Sequence, residues 1–469
     1  MRNYFVAVLV WVSGCAVGPD YRRPEIEAPA QYKEIQGWRP AEPRDALPRG
    51  PWWSVFGDAE LDSLLSKVDL SNLNIRAAEA RFRQARALAD QARAGLFPAV
   101  NANASATRSK SPSLSNQPSF AVGAVNNYNL SLNTSWELDL WGRVRRSVEA
   151  GEAGWQASAA DLEAARLSAR AALAQNYFAL RVDDATRQLL EDTVAAYERT
   201  LVLTRNRYAA GVVAKVDVVQ AEVQWKSAQA QLIDLGVERA QLEHAIALLV
   251  GQAPAAFSIA PAALAATIPP IPVGVPSELL ERRPDIASAE RSVAAANARI
   301  GVAQAAFFPT ITLSGAAGFR GTSAAELLTP PSRFWSLGGA LLQGVFDAGL
   351  REAQKNQAIG VYDEDVATYR QTVLTAFQEV EDNLAALRIL EEESRLQDEV
   401  VQAARQAVEL TTNQYKAGVV SYLNVIAAQT TLLANERAAA SVRGRRLTAS
   451  ILLVKALGGG WSAESLPGR

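Results

Sequence analysis

The stretch "YAAGVVAKVDVVQAE" at residues 208–222 returns as "YKAGVVSYLNVIAAQ" at residues 415–429, 207 positions later. The same offset pairs Gly142 with Gly349, Asn176 with Asn383, Leu180 with Leu387 and Gly251 with Gly458. Upstream the offset becomes 211, where "ARAGLFPAV" near 92–100 matches "AQAAFFPTI" near 303–311. An ungapped match over more than a hundred residues marks a tandem duplication of about 210 residues. Such self-similarity points to stacked or pseudo-symmetric units.

Proline spacing divides the chain in the same way. There is none at 119–253 and none at 332–466, two gaps of 135 residues each, while residues 254–284 are dense in proline. Proline breaks helices, so the gaps permit long ones and the dense segment connects them. Residues 143–206 run helical with only Gly151 and Gly154 as weak points, and 215–250 form a second long helix returning through the turn at Gly211. Residues 350–413 and 422–457 copy this hairpin around Gly418. About 60 residues at 1.5 Å rise span roughly 90 Å. Isolated helices of that length need partners, and faces rich in Ala, Leu and Val predict coiled-coil-like packing. Ahead of each hairpin the period changes. In "YNLSLNTSWELDL" (128–140) apolar and polar residues alternate, as in a half-buried strand. A strand over 99–109 precedes it, and the second half has strands over 310–319 and about 334–346. The helical run 71–97 leads into the first pair.

Charge and side-chain chemistry exclude several function classes. With 47 basic and 49 acidic residues the net charge is -2, which leaves no electrostatic footprint for nucleic acid. One cysteine allows neither an intramolecular disulfide nor a thiolate cluster. The single histidine, His244, lies in the apolar-periodic run "RAQLEHAIALLVG" and reads as a core or interface residue. No group of residues has the spacing of a catalytic or metal site, so no enzyme activity, cofactor or metal is expected. The cysteine instead follows a short apolar stretch, Tyr4 to Val12, and the small residues Ser13 and Gly14. That stretch is too short to span a bilayer. It resembles a bacterial lipoprotein signal, with cleavage before Cys15 and lipid on its sulfur.

Four strands and two helical hairpins do not close by themselves. Open sheet edges are a liability, and within a membrane they are prohibitive. If the strands enter a bilayer, several chains must supply one barrel.

The features that carry a resemblance are now together: the lipobox at Cys15, "GPDYRRP" (18–24), the paired strands, the duplicated hairpins, "VPSELLERRPDIASAE" (275–290) and "FFPTITLSG" (307–315). The chain resembles the outer membrane factor family, the TolC/OprM-like outer membrane efflux lipoproteins of tripartite RND-type systems, in their NodT-like branch. The resemblance implies a membrane β-barrel continued by a long α-helical barrel. Three tandem-duplicated protomers, each giving four strands and two coiled-coil-like hairpins, would form a homotrimer with a 12-stranded barrel. It places the protein in the outer membrane, lipid-anchored and extending into the periplasm. As an exit duct it would passively conduct drugs or other toxic small molecules from an inner-membrane pump and a periplasmic adaptor. The alternative is the outer membrane duct of a type I protein secretion system.

The segments that follow are a signal peptide at 1–14, an N-terminal linker and equatorial segment at 15–65, and a first repeat at 66–253. A proline-rich equatorial connector at 254–284, a second repeat at 285–458 and a tail at 459–469 complete the chain. By the same resemblance "WWSVFGD" (52–58) anchors the equatorial collar, and the hairpin turns form the periplasmic tip. Gly211, Val212 and Val213, with Gly418, Val419 and Val420, would meet the adaptor there. Exposed valines suit a docking surface, although ordinary turn packing would also employ them. Relatives carry an acidic ring past the second turn, but here Asn424 and Ala427 occupy those positions and Asp217 is the first-half equivalent of Asn424. Any constriction would therefore draw on Asp217 and Asn424, held by Arg207 and Tyr208 from one half and Arg405 and Tyr415 from the other.

Overall fold

The computed structural model describes residues 16–34, 51–110, 123–264, 268, 271 and 276–467. Cys15, the signal segment and part of the proline-rich connector (265–267, 269–270 and 272–275) lie outside them. The described residues form two compact units, one gathering residues 16–25, 82–158 and 289–369, the other 26–34, 51–81, 159–288 and 370–467.

The first unit holds the sheet. Strands β1 (Ala99–Ser109), β2 (Val125–Leu138), β3 (Thr310–Gly321) and β4 (Arg333–Leu342) lie in that order and are antiparallel throughout. The two repeats join at β2 and β3, where Leu132 faces Ala317 and Leu138 faces Ile311. β1 and β4 are edges, and among the described residues no strand pairs with their outer sides. The alternating segment 128–140 stops short of its expected end. Asp139 leaves the ladder because its carboxylate accepts hydrogen bonds from Val144 N and Arg145 N, both at 2.9 Å, capping the next helix. The strand expected over 334–346 ends at Leu342 for a similar reason. Gln343 turns to donate to the Phe307 carbonyl at 3.3 Å, and Asp347 accepts from Gly349 N at 3.0 Å to start the following helix.

The helical run expected at 71–97 forms as one helix over Leu73–Ala94, and a further helix precedes it. Helix α1 (Ala59–Ser71) ends at Asn72, and α2 (Leu73–Ala94) starts there because Asn72 Oδ1 accepts from Asn74 N and Ile75 N. Asp58 caps α1 in the same manner, and Leu61, Leu64, Leu65 and Val68 form its buried face. Before it, Trp52, Trp53 and Phe56 are buried, and Phe56 meets Phe178 at 5.1 Å.

Helices α3 (Arg143–Ala209) and α4 (Lys215–Leu249) form the first hairpin. After α5 (Pro284–Ala305), α6 (Leu350–Lys416) and α7 (Tyr422–Ala456) form the second. The helices α3 and α6 are each 67 residues long and run three residues further than expected, because the closing turns draw their last residues into the helix.

At the far ends of the returning helices the duplication is visible in hydrogen bonds. Asn72 Nδ2 donates to the Leu249 carbonyl at 2.8 Å, and its counterpart Arg283 donates from Nη1 to the Ala456 carbonyl at 3.1 Å. Gly251 and Gly458 follow these carbonyls with φ of 70° and 90°. A β-carbon would lie 2.4 Å from the Ser71 carbonyl oxygen in the first case and 2.0 Å from that of Arg282 in the second. Only glycine meets both the backbone angle and the approach.

Candidate functional site: the hairpin turns

Each long helix ends in a turn closed by two backbone bonds. Val212 N donates to the Arg207 carbonyl and Gly211 N to that of Tyr208, both at 2.9 Å. In the second hairpin Val419 N donates to Gln414 O at 2.9 Å and Gly418 N to Tyr415 O at 3.0 Å. This 6→1 and 5→2 pair needs a left-handed residue, and the two glycines supply it with φ of 73° and 77°.

The two valines after each glycine part company. Val213 and Val420 pack on a buried cluster formed by Leu201, Val218, Ala221, Tyr415, Tyr422 and Val425. Val212 and Val419 point away, 61% and 73% exposed. Sequence alone treats each pair as one unit, whereas the turn assigns one valine to the core and leaves the other exposed.

Arg207 and Tyr415 are brought together. Arg207 Nη1 donates to the Tyr415 carbonyl at 2.9 Å, and the guanidinium lies 4.6 Å from the ring centre. It thus satisfies a helix C-terminal carbonyl and stacks on an aromatic face at once. The Tyr415 hydroxyl is buried with no hydrogen-bond partner, so the contact uses the ring and the backbone. Tyr415 meets Tyr422 at 5.4 Å. Burial pushes the Tyr422 phenol up, with Tyr415, Tyr197 and Asp217 adding to the effect. Asp217 is half-buried in the first turn of α4, where a negative charge complements the helix dipole.

The remaining expected residues do not join this group. Tyr208 is exposed, with Lys215 Nζ 5.5 Å from its ring centre. Asn424 is exposed. Arg405 pairs with Glu436 at 2.7 Å, tying α6 to α7 within the second hairpin, ten positions before Tyr415. Tyr422 and Leu201 belong to the cluster and were missed. The signal for Tyr422 was present, since it stands where the first repeat has Lys215, an apolar-for-charged exchange at matched positions.

Among the described residues no group of three or more His, Cys, Asp or Glu side chains is placed to hold a metal ion. No described helix is long and apolar enough to cross a membrane.

A single antiparallel four-stranded sheet combined with two long helical hairpins is the plan of a TolC-like outer membrane channel. The solved structure of the outer-membrane channel OprN superimposes with a TM-score of 0.89 at 32% identity, covering 95% of this chain and all of that one. The chain belongs to the outer membrane efflux protein family, which it matches over residues 64–252 and 275–459. The toluene efflux pump outer membrane protein TtgC of Pseudomonas putida is 33% identical over 457 residues, 97% of this chain and 94% of that one. The pyoverdine export outer membrane protein OpmQ of Pseudomonas aeruginosa is 33% identical over 473 residues, 99% of this chain and 98% of that one. The protein is thus the outer membrane exit duct of an efflux system, and its relatives are channels.

Proposed function

We propose that three copies of the chain form one passive conduit, a 12-stranded barrel in the outer membrane continued by a barrel of twelve long helices. Substrate arrives from an inner-membrane pump of the RND type through a periplasmic adaptor that docks at the hairpin turns. The observation that carries this reading is the set of surfaces each chain leaves unmatched. Among the described residues both edges of the sheet are open, and in hydrocarbon every unpaired backbone group costs several kcal/mol, so closure with other copies is required.

The helices carry the same message. Val216, Val219, Val223, Ile233 and Val237 are exposed and follow a heptad spacing along α4. Ile389, Leu396, Val400 and Leu410 form a second exposed heptad stripe on α6. Exposed apolar stripes of this length on a folded chain mark interfaces, here with Lys226 and Glu393 at intervening heptad positions. Because α4 runs back from its turn and α6 runs toward its own, the two stripes suit an antiparallel pairing between neighbouring copies.

The exported molecules are proposed to be small and organic, as toluene and pyoverdine are for the proteins named after them. Lipid on Cys15 adds an anchor. Ala16, the next residue, lies where a β-carbon on Gly142 would touch it, beside the start of α3.

The test is complementation of a strain lacking its own outer membrane duct, with pump and adaptor present. Resistance to toluene or antibiotics should return with the wild-type chain. Val212→Asp combined with Val419→Asp should abolish it while leaving the amount of assembled protein unchanged. Full resistance in that variant would remove the turns from the docking role.

Arg207 is proposed to hold the tip closed. Arg207→Ala should raise single-channel conductance in planar bilayers severalfold. Tyr415→Phe should leave conductance and stability unchanged, because the hydroxyl it removes has no partner. A conductance rise in Tyr415→Phe instead would show that the closed tip depends on that hydroxyl.

A further inference from the structure

A cavity of about 620 Å³ opens among α3, α4, α6 and α7 in the helical unit, well away from the turns. Its lining includes positions related by the duplication: Asp183 with Leu390, and Glu238 with Arg445. Leu390 is buried at its position, so packing there does not demand a charge. Asp183 is nevertheless a carboxylate, only 8% exposed, and its Oδ2 has no hydrogen-bond partner. A buried carboxylate without a donor is costly and needs an explanation.

Several neighbouring donors are committed elsewhere. Asp184 takes Arg181 Nη1 and Arg239 Nε, both at 2.8 Å, and the amide of Ala262 at 3.1 Å. The Thr186 hydroxyl donates to the Val182 carbonyl at 2.9 Å, and Asn383 Nδ2 to that of Glu379 at 2.6 Å. On α7, Arg437 donates to Gln231 at 3.2 Å and Arg445 to Glu393 at 3.4 Å. Burial, then the charges of Glu238 and Asp184, push Asp183 up to about 6 against the pull of Arg239. Asp183 therefore ionises near neutral pH inside a cavity whose other walls include Val182, Leu235 and Leu452.

We propose that this cavity binds an amphiphilic organic cation, a primary ammonium on a short apolar body, with the ammonium donating to Asp183 Oδ2. The apolar body lies against Val182, Leu235 and Leu390, and Glu238 adds negative potential. The site does not rest on the conduit reading, and either can fail without the other.

The test is calorimetric titration of detergent-purified, full-length assembled protein with 4-phenylbutylamine, using 4-phenylbutanol as the neutral counterpart. At pH 8 the amine should bind saturably and at least tenfold more tightly than the alcohol. At pH 5 its affinity should fall about tenfold, because an acid titrating near 6 is then only about a tenth ionised. Asp183→Asn should bring the amine to the level of the alcohol. Because the raised pKa means that ionising Asp183 costs stability as pH rises from about 4 through 6, this variant should fold at least as well as the wild type above pH 6. Ala386→Trp, which fills the cavity without touching the carboxylate, should abolish binding independently. Equal binding of amine and alcohol to the wild type, or amine binding that survives both substitutions, would overturn the site.

Discussion

Replacing Gly458 by alanine is expected to reduce folded protein in the outer membrane at least tenfold. The backbone at 458 has φ of 90°, outside the region that an L side chain tolerates, and left-handed geometry alone costs about 1–2 kcal/mol. Steric overlap costs more, since the new β-carbon would sit 2.0 Å from the Arg282 carbonyl oxygen. Both sides of that contact are backbone, so no rotamer change relieves it. Moving Arg282 would also strain Arg283, which is buried, donates to the Ala456 carbonyl and is held by Glu379 and Asp285, both at 2.6 Å. Gly251→Ala should behave alike, with its β-carbon 2.4 Å from the Ser71 carbonyl oxygen. The control is Gly360→Ala inside α6, where a β-carbon meets nothing within 4 Å; removing a helical glycine there should stabilise by up to ~1 kcal/mol. Quantitative blotting of heat-modified and unmodified outer membrane protein distinguishes these outcomes. Normal levels of Gly458→Ala would mean that the helix end accommodates a shift which the close approach to Arg282 forbids.

The second large effect is expected at the α4 stripe. Ile233→Asp with Val237→Asp should convert the proposed trimer to monomers in mild detergent. Ile233 is 77% exposed in the single chain, so the substitution costs little within one protomer. In an assembled coiled coil the same positions become desolvated, and two unpaired carboxylates there cost several kcal/mol per copy. Light scattering should report the mass of a single protomer for the variant and three times that for the wild type. Circular dichroism should remain strongly helical in both. A trimeric variant would show that α4 turns this stripe to the lumen or to solvent, leaving the sheet edges as the basis of assembly.

Much of this was legible in the chain. Alternation at 128–140 and proline-free tracts of 135 residues announced strands and long helices, because both are local patterns. The missed ends were also local in cause, but the signal was a single side chain. Asn72 sets the start of α2 by capping it, just past the expected start at 71, and Asp139 ends β2 by capping α3. Such residues are hard to distinguish from ordinary surface polar residues until the backbone amides they accept from are in view.

The tip shows where local reading stops. Gly211 and Gly418 were legible as turn residues because a left-handed cap is a demand of the chain on itself. Arg405 and Tyr208 were grouped with Arg207 and Tyr415 by residue type, yet Arg405 pairs with Glu436 across its own hairpin. The repeats also conceal their differences. Tyr208 and Tyr415 stand at matched positions, but only Tyr415 is covered by an arginine, because the first half places Arg207 where the second has Gln414.

The sequence by itself determined the duplication, the two hairpins, their turns and the pairs of strands, all set by propensity and periodicity over neighbouring residues. Only the tertiary structure decided the strand register, which valine of each turn is buried, the grip of Arg207 on Tyr415 and the isolation of Asp183. Each of these depends on groups that are distant along the chain. Whether a carboxylate or a valine is satisfied is a property of the surroundings that folding assembles, and the same local sequence receives different surroundings in the two halves.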